Sequence, residues 1–271
     1  MSLSPEVAAT VTRAEKILGR ALDDVRERLL RATGRVEVTS KDDGTPVTES
    51  DLDADHLLTK AILAAFPDHG VLTEEQETVA PDTEWCWVID PIDGTSNFIS
   101  GLPYWCVSAA LTHRGEPVLG VIDAPPLAAR YTAVLGSGAR RDGQPLRARG
   151  PVAVDDRTQR HVPLMLTTST ARRARGSGIR LNPRVMGATA LDLCLVAEGV
   201  AAGSVAVIPH VWDVAAGGLL VTEAGGVVVT VSGEPLLPLH PGTDYRDRAA
   251  VTAAGPSRAW VEDVAGRLLP P

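Results

Sequence analysis

One short segment constrains the fold of this chain more than any other. The run 85–89 is apolar, and two acids, Asp90 and Asp93, follow it three residues apart. A short apolar run bounded by turn residues is typical of a buried β-strand. Pro91 fixes φ between the two acids, and Gly94 lets the backbone approach a ligand closely. The sequence therefore predicts a core strand that ends in a stiff turn carrying two carboxylates.

The two carboxylates at this turn indicate a cation site. Carboxylates held this close repel each other, so a positive charge should lie between them. Neither Cys nor His stands beside them at ligand spacing, which favours a hard, oxygen-seeking cation over zinc. More distant acids could complete the site. Glu74 and Glu75 follow a predicted loop, and Asp213 stands at the start of a predicted helix, where it could also be only a helix cap.

The same region favours phosphate chemistry. Four carboxylates carry a charge of about −4 and two Mg²⁺ about +4, so the site could accept a phosphate dianion with help from a lysine. The amides of Gly94 and Thr95 open the segment after the turn, and exposed N–H groups of this kind bind phosphate. We therefore expect two-metal phosphoryl chemistry at this turn.

Composition and charge exclude several classes of protein. The chain has 271 residues with 26 Lys and Arg against 34 Asp and Glu, and its net charge of −8 disfavours binding to nucleic acid. Hydrophobic residues make up 44%, enough for a sizeable core. No apolar stretch reaches the roughly 18–20 residues that cross a membrane, and charges interrupt any signal peptide. Cys86, Cys106 and Cys194 fit neither a disulfide framework nor a zinc pattern, so we expect buried thiols in a reducing cytoplasm.

The first half of the chain predicts two helices followed by strands. Helical spacing begins at Pro5, after a capping serine, and ends at Gly34. A second helix, for which Ser50 and Asp53 resemble a capping box, runs to about Phe66. Strands are predicted at 85–89, 105–112, 118–122 and 131–135, and a turn joins the middle two into a hairpin.

The second half alternates strands with helices, a pattern that favours α/β layering. Strands are predicted at 164–168, 204–208 and 227–231, and helices at 189–199, 214–224 and 258–269. Residues 170–180 are predicted to form a polar, arginine-rich loop. Residues 136–150 suit either a subdomain boundary or a second hairpin that turns at 142–143. We expect an α+β subdomain at 1–139, which carries the acid motif, and an α/β subdomain at 140–271, which completes the metal and substrate site.

Several motifs together resemble one known family. They are Asp90-Pro91-Ile92-Asp93-Gly94-Thr95, Glu74-Glu75, Trp212-Asp213, Glu223-Ala224-Gly225-Gly226, and Lys41-Asp42-Asp43-Gly44-Thr45-Pro46-Val47-Thr48 with Asp51. This set resembles the inositol monophosphatase family of Mg²⁺-dependent, lithium-sensitive phosphomonoesterases. The resemblance runs from the first helix to the last. It implies a layered αβαβα sandwich of the sugar phosphatase fold and a homodimer.

The resemblance also implies roles for individual residues. One ion would be held by Glu74, Asp90 and the Ile92 carbonyl, and a second by Asp90, Asp93 and Asp213, with two or three Mg²⁺ in the site. The catalytic residues would be Glu74, Thr95 and Asp93, of which the first two orient the attacking water. The Gly94 and Thr95 amides would bind the phosphate oxygens. Lys41, Glu75 and Asp51 would support the site from behind.

Substrate contacts follow less directly from the resemblance. They would come from Asp93, Ala188, Thr189, Ala206 and His210. Inositol-specific members have an acid seven positions before the Trp-Asp aspartate, and here that position is Ala206, so this contact to a sugar hydroxyl is missing. The arginines between Arg172 and Arg180 lie where a helix is expected. They form either a solvated loop or a contact to a second anionic group of the substrate.

The sequence thus predicts a phosphoric monoester hydrolase. We expect attack of a metal-activated water on a small polyol or sugar monophosphate, such as an inositol monophosphate. Relatives act on histidinol phosphate, 3′-phosphoadenosine 5′-phosphate or fructose bisphosphate, and several of these branches share the lysine motif, so the substrate stays open. A non-catalytic binding protein on the same fold is a further alternative. No nucleic-acid or membrane partner is expected.

Overall fold

Helices and strands alternate in layers along the chain, which the computed structural model describes over residues 3–40, 46–174, 177–246, 248 and 250–269. Within these residues the helices are α1 (Pro5–Ala32), α2 (Glu49–Ala65), α3 (Thr95–Ser100), α4 (Thr168–Arg173), α5 (Thr189–Ala197), α6 (Val211–Glu223) and α7 (Arg258–Leu268). The strands are β1 (Val38–Ser40), β2 (Pro46–Thr48), β3 (Gly70–Thr73), β4 (Trp85–Asp93), β5 (Cys106–His113), β6 (Glu116–Ala124), β7 (Ala129–Val134), β8 (Gly138–Arg141), β9 (Gln144–Pro145), β10 (Pro163–Leu166), β11 (Asn182–Arg184), β12 (Gly203–Ala206), β13 (Val227–Ser232) and β14 (Val251–Gly255).

The first sheet has the strand order β3-β4-β5-β6-β7-β8-β9. β3 runs parallel to β4, and the other neighbours are antiparallel. Side chains alternate between its faces with a period of two. In β4, Trp87 and Ile89 pack with α1 and α2, whereas Cys86 and Val88 pack with α5 and α6. Because both faces are covered, the run 85–89 is continuously apolar and does not alternate with polar residues.

The second sheet has the order β11-β10-β12-β14-β13. Its inner face contributes Met165 and Ala254 to the core shared with α5 and α6. Its outer face packs on α7, where Trp260 and Val264 meet Val205. The layers therefore run α1/α2, first sheet, α5/α6, second sheet, α7. This order confirms the predicted αβαβα sandwich.

At the helix starts, the local sequence pattern predicted the cap of α1 correctly and misplaced the cap of α2. Ser4 caps α1, and its side chain accepts a hydrogen bond from the Val7 amide at 3.3 Å, as predicted. The predicted capping box at Ser50 and Asp53 is wrong. The capping residue of α2 is Thr48, whose amide and hydroxyl both donate to Asp51, at 2.8 and 2.6 Å. The helix begins earlier because the extended Thr48 ends β2, so the acid that lies three residues later is Asp51.

Other differences concern short elements. The expected loop at 170–180 begins inside α4, because the Thr167 side chain caps the Thr170 amide and starts a helical turn. β3 and β14 are additional strands that the sequence pattern did not indicate. Residues 138–145 form the second hairpin, one of the two alternatives, with positive φ at Asp142 and Gly143.

All three cysteines are free and buried, which confirms the predicted burial of their thiols. None of the described helices is both long and apolar enough to cross a membrane. The first sheet ends at Pro145 and the second begins at Pro163. The division into subdomains at residue 139 stays a prediction.

Candidate metal centre

Asp90 and Asp93 converge because of a β-bulge at the end of β4. Residues three apart in a regular strand point to opposite faces. Asp90 lies opposite Ser108 and Asp93 opposite Cys106, so β4 gains one residue relative to β5 between the two acids. The Ile92 amide donates to Asp90 Oδ1 at 2.9 Å and closes this turn. The extra residue turns the second carboxylate towards the first.

Asp213 reaches the same place from the first turn of α6. Its Oδ2 accepts a hydrogen bond from the His210 amide at 2.7 Å, as part of a capping box that fixes the start of the helix. The Ser108 hydroxyl donates to the Trp212 carbonyl at 3.2 Å and ties this turn to β5. The helix start is therefore anchored to the strand that pairs with β4.

These three aspartates form a compact set of oxygen donors. One carboxylate oxygen from each of Asp90, Asp93 and Asp213 lies within 4.8 Å of the others. Asp90 and Asp93 are buried, and Asp213 is half-buried. Carboxylate oxygens are the ligands that hard divalent cations such as Mg²⁺ prefer. The group that the structure brings together corresponds to the predicted ligands of the second ion.

The Asp93 carboxylate is oriented by three donors. The backbone amides of Thr189 and Ala190, at the start of α5, donate to Oδ1 and Oδ2 at 3.1 and 2.7 Å. The Cys106 thiol lies 3.8 Å from Oδ2 and donates a weaker hydrogen bond. Both carboxylate oxygens are therefore held by other parts of the fold before any ligand binds.

Burial and mutual repulsion raise the pKa of every aspartate in the cluster. Burial contributes most at Asp90, followed by the charges of Glu74, Asp93 and Asp213. Burial raises the pKa of Asp93 to about 7, while the amides of Ala190 and Thr189 oppose the rise. The pKa of Asp213 is raised by burial and then by Asp93. The cluster is therefore strained when fully charged, and a divalent cation would relieve the strain.

Among the remaining predicted groups, Glu74 and Asp51 lie close enough to the cluster to raise the pKa of Asp90. Glu74 follows β3 directly, and its amide donates to the Ile89 carbonyl at 3.1 Å. It lies close enough to raise the pKa of all three aspartates, although it is outside the compact group. The Thr95 hydroxyl donates to the Ile92 carbonyl at 3.0 Å and lies 3.5 Å from Asp51 Oδ1. Glu75 is half-buried beside Glu74, and Lys41 lies outside the described residues.

Gly94 joins the cluster to α3 in a conformation that favours glycine. Its φ is +94°, in the left-handed region. A Cβ at this position would lie 3.1 Å from the Tyr104 carbonyl oxygen and 3.2 Å from the Gly187 carbonyl oxygen. Both the backbone angle and the close packing therefore disfavour a side chain at this position.

We expect Gly94→Ala to destabilise the protein by about 2 kcal/mol, because the left-handed conformation alone costs about 1–2 kcal/mol for an L-residue and the two carbonyls add steric strain. Thermal unfolding measures the effect. Gly143→Ala is the matched control, since Gly143 has φ +80° but nothing within 4 Å of an added Cβ. A Gly94→Ala protein as stable as Gly143→Ala would contradict the packing argument.

Three of the predicted substrate residues, Ala188, Thr189 and His210, lie next to the cluster. Ala188 is the N-cap of α5, and the Thr189 amide binds Asp93. Ala206 is buried as the last residue of β12. His210 is the N-cap of α6, and its ring stacks on Trp212 with a centroid distance of 5.0 Å. The contact of all four residues with a substrate stays a prediction.

The groups that orient the Asp93 carboxylate could not be identified from the sequence pattern. Ala190 acts through a backbone amide, which has no side-chain signature in a sequence. Cys106 and Ser108 are ordinary strand residues, and only their register opposite Asp93 and Asp90 gives them this position. A correct pairing of β4 with β5 is the one signal that could have revealed them.

The chain is similar to known proteins over most of its length. A sequence model described as the inositol monophosphatase family matches residues 5–265. A protein named "Probable inositol 1-monophosphatase ImpA", from Mycobacterium tuberculosis, is 34% identical over 253 residues, which cover 88% of this chain and 89% of that protein. "Nus factor SuhB" from Pasteurella multocida is 31% identical over 247 residues, which cover 87% of this chain and 86% of that protein.

A solved structure is also similar over nearly the whole chain. The "extragenic suppressor protein suhB" of Bartonella henselae superposes with a TM-score of 0.80 and 27% sequence identity. The match covers 94% of this chain and 98% of that structure.

Proposed function

The chain belongs to the inositol monophosphatase family, and from that premise we propose that it hydrolyses small phosphate monoesters in a Mg²⁺-dependent reaction. The observation that carries the proposal is the convergence of Asp90, Asp93 and Asp213 within 4.8 Å at the end of a buried strand. A three-carboxylate cluster with raised pKa values suits a divalent cation better than it suits a purely structural role.

The residues present fit Mg²⁺ as the cofactor. Every donor in the compact group is a carboxylate oxygen, and mutual repulsion favours occupancy by a cation. We propose that Asp90, Asp93 and Asp213 hold one ion, and that Glu74, Asp90 and the Ile92 carbonyl hold another, with two or three ions in all. When bound, such ions lower the pKa of water and neutralise charge on the transferred phosphoryl group.

The chain's own groups would bind and orient the reactants. We propose that the Gly94 and Thr95 amides, at the turn after β4, donate to the phosphate oxygens. Glu74 would accept a hydrogen bond from the attacking water, and the Thr95 hydroxyl would hold it in line with the phosphorus. Asp51 would keep Thr95 in place, since its Oδ1 lies 3.5 Å from that hydroxyl. Glu75 and Lys41 would stabilise the ligands of the site without contacting the ions themselves.

Two observations support the proposed substrate class, which are the family of the chain and the residue at position 206. The name of the M. tuberculosis relative makes inositol 1-phosphate the first ester to test. Ala206 offers no carboxylate to a sugar hydroxyl, so we propose loose discrimination among polyol and sugar monophosphates. Histidinol phosphate and 3′-phosphoadenosine 5′-phosphate are the alternative substrates. We also propose a cytoplasmic homodimer, which light scattering after size exclusion would test.

The test is phosphate release by the purified protein from inositol 1-phosphate and from a panel of the esters above. We expect release in Mg²⁺, none in EDTA, and recovery when Mg²⁺ is restored in excess. Values of kcat/KM across the panel at fixed Mg²⁺ would rank the substrates. Activity that persists in the chelator would refute the metal-dependent reaction.

A non-catalytic role is the second candidate, because one relative bears the name "Nus factor SuhB", which is not the name of an enzyme. The same assay separates the two. A protein that binds Mg²⁺ but releases no phosphate from any ester of the panel would favour the non-catalytic role.

A further inference from the structure

A hydrogen bond beside the metal centre joins two residues that the proposed reaction does not use. The Tyr104 hydroxyl donates to Asp192 Oδ1 at 2.8 Å. Tyr104 precedes β5 and is half-buried, while Asp192 lies in the first turn of α5 and is only 2% exposed. A hydroxyl bound to a buried carboxylate is among the stronger side-chain hydrogen bonds, and loss of either partner leaves a buried polar group unsatisfied.

Asp192 stands on the same helical turn that holds Asp93. The Thr189 and Ala190 amides of this turn donate to the two oxygens of the Asp93 carboxylate. The Asp192 amide donates to the Ala188 carbonyl at 3.0 Å, which makes Asp192 part of the same turn. A bond that fixes Asp192 therefore also fixes the donors that orient Asp93.

Tyr104 is fixed from the other side, by the segment that follows Asp93. Its carbonyl accepts a hydrogen bond from Asn97 Nδ2 at 2.7 Å, and the same amide group donates to the Met186 carbonyl at 2.7 Å. The Tyr104 carbonyl also packs against Gly94. The main chain at Tyr104 thus belongs to the turn after Asp93, and its side chain reaches across to α5.

We propose that Tyr104 and Asp192 are a positioning pair that holds the first turn of α5 against Asp93, and so sets the affinity of the centre for Mg²⁺. The inference rests on the proposed function in one respect, that Asp93 is a metal ligand. Neither residue of the pair is among the proposed ligands or substrate contacts. Partners that orient metal ligands in this way commonly contribute about 10–100-fold to metal affinity.

The experiment is calorimetric titration of Mg²⁺ into EDTA-stripped protein, with kcat and KM for inositol 1-phosphate measured in parallel. Tyr104→Phe removes the hydroxyl and keeps the Asp192 carboxyl, and we expect Mg²⁺ affinity to fall about tenfold. Asp192→Asn keeps an acceptor for the hydroxyl and removes the charge, and we expect its affinity to stay within about twofold of wild type. If only the negative charge of Asp192 mattered, Asp192→Asn would lose more Mg²⁺ affinity than Tyr104→Phe.

Tyr131→Phe is the matched control. Tyr131 is also buried, and its hydroxyl lies within hydrogen-bonding reach of Glu198, the residue that caps the other end of α5. We expect its Mg²⁺ affinity to equal that of wild type. If Tyr104→Phe does not fold, Tyr104→Phe/Asp192→Leu removes both polar partners without leaving one unsatisfied, and reduced affinity is expected again.

The outcomes separate this inference from the proposed function. Wild-type affinity in Tyr104→Phe or in the double variant, or equal losses in Tyr104→Phe and Asp192→Asn, would overturn the positioning pair. A wild-type protein that binds no Mg²⁺ would overturn both proposals. A wild-type protein that binds Mg²⁺ without releasing phosphate would overturn the proposed function alone, because the ranking of the variants could still be measured by calorimetry.

Discussion

Asp93→Asn is expected to lower kcat about a thousandfold, which corresponds to about 4 kcal/mol of transition-state stabilisation. Asp93 lies in one compact group with Asp90 and Asp213. Its carboxylate is also oriented by the amides of Thr189 and Ala190. An asparagine has one oxygen acceptor in place of two and carries no charge. It would therefore bind a cation weakly while filling the same volume.

The fold of the Asp93→Asn protein should survive. The substitution relieves the repulsion among buried carboxylates but leaves one of the Thr189 and Ala190 amides facing a side-chain NH₂ group, so we expect metal-free stability at pH 8 within about 2 kcal/mol of wild type. Asp123→Asn is the matched control, because Asp123 is also buried but pairs with Arg130 at 2.8 Å on the α1 side of the first sheet. That variant should lose stability and keep kcat. Near-normal turnover in Asp93→Asn would remove Asp93 from the centre.

Mg²⁺ is expected to stabilise the protein against heat, and more at pH 8 than at pH 5. Burial raises the pKa of Asp93 from 3.8 to about 7, so its protonated form is favoured in the folded state. The stability that protonation contributes is fully present below the ordinary pKa of 3.8 and is lost as pH rises through about 7. Metal-free protein should therefore lose stability between about pH 4 and pH 7, because the carboxylates of the cluster become charged and repel one another.

The size of the Mg²⁺ effect follows from mass action. At a free concentration one hundred times Kd, binding contributes about 2.7 kcal/mol. For a domain of this size each kcal/mol shifts Tm by about 2–4 °C, so a rise of about 5–10 °C is expected at pH 8. At pH 5 protons compete for the carboxylates and the rise should be smaller.

Thermal scans at both pH values, with NaCl matched to the ionic strength of the MgCl₂, measure this effect. The NaCl arm is needed because salt alone screens the repulsion between carboxylates. A Mg²⁺ shift no larger than the NaCl shift, or a larger one at pH 5, would contradict the assignment of the cluster as a cation site.

Much of the architecture could be predicted because it depends on local patterns. The helical spacing after Ser4 predicts α1, and the apolar run before Asp90 predicts the core of β4. Short elements were not predicted, because they contain too few residues to show a helical or strand periodicity. Capping by Thr167 produces the six-residue α4 inside an expected loop, and the small residues of β14 resemble no strand pattern.

The acids of the candidate centre were identified at three separate places in the chain. Asp90 and Asp93 share one turn, so their spacing alone indicates a paired site. Asp213 belongs to a helix start far along the chain, and its residues alone fit a helix cap as well as a metal ligand. In the structure it does both, since its carboxylate accepts the His210 amide and lies in the cluster. From its residues alone Asp213 was one of several distant acids that could complete the site, and the resemblance to a family then gave it a definite place beside the other two.

The residues alone indicate the type of most elements and the carboxylate chemistry of the centre, because periodicity and residue identity are local properties. The tertiary structure decided which way Asp93 points, which amides hold it, and that Tyr104 meets Asp192. The reason is that side-chain direction depends on strand register. One extra residue opposite β5 reverses the face of a carboxylate, and no local pattern in β4 specifies how it pairs with β5.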